Sequence, residues 1–271
     1  MGALYPCRTQ EVIGVADLER LKARAAEIAD KETQILLDRT SGSKALYERA
    51  LKSLPSGVSS NFQVGDPYPI YLEHGKGSKV WDVDGTEYVD LMCSYGPIVL
   101  GHQHSVVEAA ARAQAELADC QNGPGEVMVE LAELLVATVH HADWAMFAKN
   151  GTDATTTCCT IARAHTGRSK ILVATGAYHG AAPWCTPRLS GVTSADRANL
   201  GHYTFNDLAS VTAAAAAAGP ELAGVVVSPF KHDAGYDQEL VDPAFARARA
   251  KRERGRLLVR LIGWGEAREA A

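Results

Sequence analysis

The stretch from Trp144 to Gly180 constrains the fold more than any other part of the chain. It runs through Trp144-Ala-Met-Phe-Ala148, Asn150-Gly-Thr-Asp-Ala154, a series of small residues to His165, and Lys170-Ile-Leu-Val-Ala-Thr175. The first run has the length and apolarity of a short buried strand. Asn150 and Gly151 break it, and Thr152 or Asp153 is placed to cap a helix continuing to about His165. Gly167 supplies the stop, and Lys170 to Thr175 reads as the next buried strand. Strand, glycine-containing turn, helix and strand predict a βαβ unit. Its turn places free backbone N–H groups at the positive end of a helix dipole, which favours a bound phosphate. Just past the second strand, Tyr178-His-Gly180 offers an aromatic face to cover a flat ring whose phosphate sits at Gly151 and Thr152.

Asn150-Gly-Thr-Asp-Ala154, Ala162-Arg-Ala-His-Thr-Gly-Arg168 and Tyr178-His-Gly180 occur in that order, at a spacing that resembles the class III (fold type I) pyridoxal-phosphate aminotransferases. The closest branch is the one containing glutamate-1-semialdehyde aminomutase, and the resemblance spans roughly Ser41 to Phe245. It implies an α/β fold: the large domain of a PLP-dependent transferase, with a mostly parallel sheet, incomplete here and preceded by an N-terminal helical and hairpin segment. The implied division is 1–100 for that segment, 101–250 for the partial cofactor-binding domain and 251–271 for an atypical basic tail. The implied cofactor is pyridoxal 5'-phosphate, held by Gly151, Thr152, Tyr178, His179 and Asp233. The implied substrate is a small amino acid or amino-aldehyde, met by Ser60, Gln63 and Tyr95, and the implied assembly is a homodimer.

Two departures from the family's pattern bear on the chemistry. The aminomutases carry an arginine where Gln63 aligns, to anchor a substrate carboxylate, and Gln63 supplies no such charge. The strand after residue 224 usually ends in Glu-Pro with an Asn beyond; here the positions are Ser228-Pro229 and Asp233, which would bring a negative charge near the ring hydroxyl.

The net charge of −5 gives no reason to invoke nucleic acid or an anionic membrane, and no apolar run is long enough to span a bilayer. The first residues show no basic segment followed by an apolar one, so a cytoplasmic protein is expected. The six cysteines contain no C-x-x-C pair and are too few for a disulfide scaffold. Cys158 and Cys159 read as buried small residues in a helix. His102-Gln-His104 and His140-His141 lack a carboxylate or thiolate at ligand spacing, so no metal site is expected.

Elsewhere the pattern predicts helices over Val15 to about Leu54, broken at Ser41-Gly42. Pro55-Ser-Gly57 ends them, and Val58 to Gln63 is a polar loop. Ile70 to Glu73 and Lys79 to Asp90 read as strands, with Asp84-Gly85 as a two-residue hairpin turn. Ser105 and Glu108 form a capping-box pattern opening a helix to about Cys120. Glu126 to His140 is a helix with Val127, Leu131, Leu134 and Leu135 facing inward. Asn206 caps a helix ending at Ala218, and Gly224 to Ser228 is a further buried strand. Alternating helices and strands predict a mostly parallel sheet.

Amino transfer by this family also uses a Schiff-base lysine and a carboxylate at the pyridine nitrogen. No lysine from Lys22 to Lys251 stands in that context, and Arg260 to Ala271 offers no such carboxylate, so no residue of this chain is assigned as catalytic. The expectation is a truncated or frameshifted product, inactive alone. The alternative is a noncatalytic cofactor-binding or interaction protein on the same fold. The basic tail could instead be a nucleic-acid arm, but it lacks interleaved aromatics. A Rossmann dehydrogenase and a hydrolase are disfavoured, since neither G-x-G-x-x-G after a strand nor G-x-S-x-G occurs.

Overall fold

The computed structural model describes residues 15–118, 120–139, 142–228, 230–231, 239–242 and 245. The chain divides into two units, Met1–Cys120 and Gln121–Ala271.

In the first unit, α1 (Val15–Arg39) and α2 (Ser41–Ala50) are separated at Thr40, one residue before the expected break. Three antiparallel strands follow: β1 (Leu72–Lys76), β2 (Lys79–Asp82) and β3 (Glu87–Val89). The hairpin between β2 and β3 turns at Asp84-Gly85 as expected, with Gly85 at φ 82°, a conformation glycine adopts without a Cβ penalty. Fully buried Asp82 accepts hydrogen bonds from Asp84 N (3.0 Å), Thr86 N (2.8 Å) and Tyr88 Oη (2.7 Å), so one carboxylate organises the whole turn. The Asp84 carboxylate in turn accepts from Gly42 N and Ser43 N at the start of α2, locking hairpin to helix.

Helix α3 (Ser105–Leu117) closes the unit. Its first backbone bond runs from Glu108 N to His104 O, which makes His104 the N-cap and places Ser105 inside the helix. The capping box read at Ser105 is therefore overturned; His104 caps through its backbone without a side-chain bond.

The second unit contains α4 (Glu126–Thr138), α5 (Gly151–Thr166), β4 (Lys170–Ala174), α6 (Ser194–Arg197), β5 (Leu200–Tyr203), α7 (Leu208–Ala218), β6 (Leu222–Val225) and the short pair β7 (Phe230–Lys231) and β8 (Glu239–Leu240). Its main sheet has the order β5-β4-β6, and both ladders are parallel. Ile171, Leu172, Val173 and Ala174 of β4 are all buried, as a central parallel strand covered on both faces requires. Leu172 and Ala174 pack with Tyr203, Phe205 and Val211 of the α7 side, while Ile171 and Val173 pack with Cys159 and Ala162 of α5. The strand's two-residue alternation thus sends successive side chains to opposite helical layers.

Several expectations fail here. Trp144 to Ala148 is not a strand: it finds no partner among the described strands, and Trp144 is 90% exposed. Thr152 and Asp153 do not cap α5; Asn150 does, with extended φ/ψ and its side chain accepting from Asp153 N. Asn206 does not cap α7, because it turns the chain at φ 59° and its Oδ1 accepts from Asp242 N at 2.7 Å; Asp207 takes the cap. Val127, Leu131 and Leu134 of α4 are exposed rather than inward, since no described element covers that face. Strand β6 also begins two residues earlier than read, at Leu222, where its pairing with Lys170 starts.

Candidate functional site

The N-terminus of α5 is the centre of the second unit's candidate site. A helix leaves its first four N–H groups without intrahelical partners. Asn150 engages one of those four, its Oδ1 accepting from Asp153 N at 2.9 Å, while its backbone O takes the first intrahelical bond from Ala154 N at 3.1 Å. The remaining N–H groups belong to Asn150 and to the first two helical residues, Gly151 and Thr152. A Cβ built on Gly151 would meet no atom within 4 Å, so the approach to these donors is open. Two aligned donors at a helix N-terminus suit an oxyanion.

The chain returns to this point after β4. Tyr178 is partly exposed at 41%, whereas the neighbouring His179 is 7% exposed. The His179 Nε2 is buried and has no hydrogen-bond partner among the described residues. Desolvation pushes its imidazole down to about 4, so it stands neutral at physiological pH. Gly180 has φ +129°, and a Cβ there would lie 2.7 Å from Thr152 Oγ1 and 3.0 Å from Thr152 Cα. The glycine of Tyr178-His-Gly180 is therefore needed for close approach to the helix start.

Hydroxyls of α5 hold this return segment. Thr152 Oγ1 accepts from Ala181 N at 3.1 Å. Thr155 Oγ1 shares its proton between His179 O at 2.8 Å and Thr152 O at 2.9 Å. Trp184 Nε1 donates to Thr156 Oγ1 at 2.9 Å. Asn150, Thr155, Thr156 and Trp184 escaped the sequence reading. The signal for the threonines was their i, i+3, i+4 spacing from Thr152, which puts all three on one helix face.

Of the sequence-derived candidates, Gly151, Thr152, Tyr178 and His179 are thus brought together; Asp233 lies outside the described residues. Ser60, Gln63 and Tyr95 belong to the first unit and form a group of their own. Ser60 caps the turn Asn61–Gln63, and the Gln63 Oε1 accepts from Ser59 Oγ at 2.9 Å and Ser60 N at 3.2 Å. Tyr95 meets Phe62 edge-on, with ring centroids 6.1 Å apart. Tyr95 sits in a turn where Cys93, Ser94 and Tyr95 all have positive φ, and the Asp90 carboxylate braces its start by accepting from Met92 N, Cys93 N and His102 Nε2.

The cysteines near α5 are not poised as nucleophiles. Burial pushes the Cys159 thiol up to about 11 and raises that of Cys185 as well. Among the described residues, no group of three or more His, Cys, Asp or Glu side chains is placed to hold a metal ion, and no helix is long and apolar enough to cross a membrane. His140 and His141 lie outside the described residues.

Comparison with known proteins places this geometry in context. The sequence model of the family described as Aminotransferase class-III matches residues 62–248. Aminopentol aminotransferase of Sphingopyxis macrogoltabida is 46% identical over 221 residues, which cover 80% of this chain and 52% of that protein. Glutamate-1-semialdehyde 2,1-aminomutase of Bacillus subtilis is 36% identical over 208 residues, covering 71% of this chain and 48% of that one. Among solved structures, the FumI protein of Sphingopyxis sp. MTA144 in its PLP internal aldimine form matches with a TM-score of 0.74 at 45% identity, over 78% of this chain and 52% of that one. The chain spans about half the length of the curated relatives it matches.

Proposed function

The chain belongs to the class III aminotransferases, and from that premise we propose that residues 1–271 carry the phosphate and ring subsites of a pyridoxal-phosphate-dependent aminotransferase. The observation that carries this reading is the pairing of an open helix N-terminus at Gly151 with a return segment that packs on that helix's first turn and holds a buried His179 Nε2 without a partner among the described residues. The residues fit the cofactor: two backbone donors for its phosphate, an aromatic side chain for its ring and a neutral polar atom at the ring's edge. Gly151 and Thr152 N–H would bind the phosphate, with the α5 dipole adding to the attraction. Tyr178 would lie over the ring and keep water from one face. His179, held neutral by burial, would present Nε2 to a polar group without adding charge.

Bound pyridoxal phosphate supplies a carbonyl that condenses with primary amines and a ring that takes up the electron pair left by a departing proton. The proposed substrate is a small amino acid or amino-aldehyde. Ser60, Gln63 and Tyr95 are its proposed contacts; a neutral Gln63, already engaged by Ser59 and Ser60, favours amino transfer over a reaction anchored by a carboxylate. Assembly as a homodimer is supported by the exposed apolar side chains on α3 and α4, including Val106, Leu117, Leu131 and Leu134. The thiols of Cys93, Cys120, Cys158, Cys159 and Cys185 are all free, which supports a cytoplasmic setting.

No lysine within residues 1–271 stands in the family's Schiff-base context, so the 271-residue polypeptide by itself is proposed to hold the cofactor without a covalent bond and without turnover. Two measurements test these statements. Titration should give pyridoxal phosphate at least about tenfold tighter binding than pyridoxal, a difference near 1.4 kcal/mol; equal affinities remove the cradle. Borohydride reduction followed by peptide mapping should leave no modified lysine, and one modified lysine accompanied by keto-acid formation would overturn the noncovalent reading.

A further inference from the structure

Thr152, Thr155 and Thr156 point one row of hydroxyls from α5 at the segment that follows β4. Each has a partner there: Ala181 N for Thr152, His179 O for Thr155 and the Trp184 indole for Thr156. The partners are 24 to 29 residues away in sequence, so these bonds are tertiary and tie α5 to the segment beyond β4. Of the three, the Thr155 bond falls closest to the ring-side residues. Thr155 is buried, and His179, whose carbonyl it bonds, is the residue after Tyr178. The hydroxyl therefore anchors the His179–Gly180 peptide, directly beyond the two residues of which Tyr178 is exposed and His179 buried.

We propose that Thr155 is a positioning residue: through its hydroxyl it sets Tyr178 and His179 against the donors of Gly151 and Thr152, so that cradle and ring cover exist as one rigid piece before any ligand arrives. Its own hydroxyl is committed to His179 O and Thr152 O, both backbone carbonyls of this chain. The proposal rests on the cofactor reading above for what the piece is used for, and on the hydrogen bonds alone for its rigidity. Preorganisation of this kind favours binding because the segment's ordering entropy is lost at folding rather than at association.

Two consequences separate positioning from a general role in stability. An anion that uses only the cradle should be indifferent to Thr155, whereas a ligand with both phosphate and ring should not. The ring's contribution should also depend on Thr155, so removing Tyr178 in its absence should matter little.

The test uses Thr155→Val, which keeps the shape and removes the donor, and Thr155→Ser, which keeps the donor. Thr156→Val serves as a second variant on the same helix: it removes the Trp184 bond and the helix's own Thr156–Thr152 bond and leaves the His179 bond intact. For Thr155→Val, pyridoxal phosphate affinity should fall about tenfold while inorganic phosphate affinity stays within about twofold. Thr155→Ser should restore the wild-type value, and Tyr178→Ala should weaken the wild-type protein but not Thr155→Val. Amide hydrogen exchange over residues 178–184 should accelerate about tenfold in Thr155→Val and not in Thr155→Ser. Equal losses for phosphate and pyridoxal phosphate, additive effects of Thr155→Val and Tyr178→Ala, or unchanged exchange would each overturn the proposal. Should wild-type protein bind phosphate but not pyridoxal phosphate, the cofactor reading fails, and the exchange of Thr155→Val still decides the rigidity. If Thr155→Val does not fold, Thr155→Ser and Thr156→Val carry the comparison: wild-type exchange in the serine variant and local loosening at Trp184 alone support the proposal, and a loosened Thr155→Ser segment overturns it.

Discussion

Gly180→Ala is expected to destabilise the second unit by about 3 kcal/mol and to abolish pyridoxal phosphate binding at micromolar concentrations. Two costs add at this position. The backbone has φ +129°, where an L side chain is strained by itself, commonly by about 1–3 kcal/mol. The new Cβ would also stand 3.0 Å from Thr152 Cα, which belongs to a helix and cannot rotate away as a side-chain tip could. Relief requires the return segment to lift from α5, and lifting breaks the Ala181–Thr152 and His179–Thr155 bonds together. Gly167→Ala is the control, since Gly167 is also left-handed at φ +66° but nothing lies within 4 Å of its Cβ. It should carry the conformational cost alone, about 1 kcal/mol. Denaturant midpoints of the two variants check this. Equal losses would mean that close approach to Thr152 contributes nothing.

The same comparison shows which parts of the molecule the sequence discloses. Gly167 is legible because its reason is local: a helix of small residues ends and a β-branched strand begins. Asp84-Gly85 is legible for the same cause, and so is β4, whose unbroken Ile-Leu-Val-Ala run leaves no polar face and therefore needs helices on both sides. Gly180 is visible as a glycine, but its reason is Thr152, 28 residues earlier, and no local pattern conveys that. The site behaves likewise. The grouping of Gly151 and Thr152 with Tyr178 and His179 follows from helix and strand order, whereas the Thr155 and Thr156 bonds depend on the register with which the segment after β4 lies along α5.

The failures have a common physical origin too. Caps compete over neighbouring polar residues, and tertiary bonds decide the competition. Asn206 is as good a capping residue as Asp207, yet its side chain is taken by Asp242 N, 36 residues on. The apolar runs at Trp144 to Ala148 and along α4 predict burial, because hydrophobicity records a preference for burial without naming the surface that provides it. In the described residues that surface is absent, and Trp144, Met146 and Leu134 stay exposed.

Acid should act on this protein through His179 before it acts on any carboxylate. Burial lowers the imidazole from its ordinary 6.5 to about 4, so the folded state binds fewer protons than the unfolded state between those values. Stability is then fully present above about pH 6.5, falls as pH drops and levels off below about 4. At about 1.4 kcal/mol per pH unit the total loss is about 3 kcal/mol. Asp90 and Asp196 are also held below their ordinary 3.8, Asp90 chiefly by the His102 hydrogen bond and Asp196 by Thr193. Their contributions are present above 3.8 and disappear only as pH falls through lower values, so they leave the window from pH 6.5 to 4 to His179. Charging His179 would also drive it toward water and pull on the peptide that Thr155 holds, so ligand binding should weaken over the same range. His179→Gln, neutral at every pH, should flatten the stability profile between pH 6.5 and 4.5 while leaving the acid loss that comes from Asp90 and Asp196 in place. Urea unfolding of both proteins across that range checks the sign. A wild-type profile that stays flat to pH 4.5, or a His179→Gln profile as steep as wild type, would place the proton elsewhere.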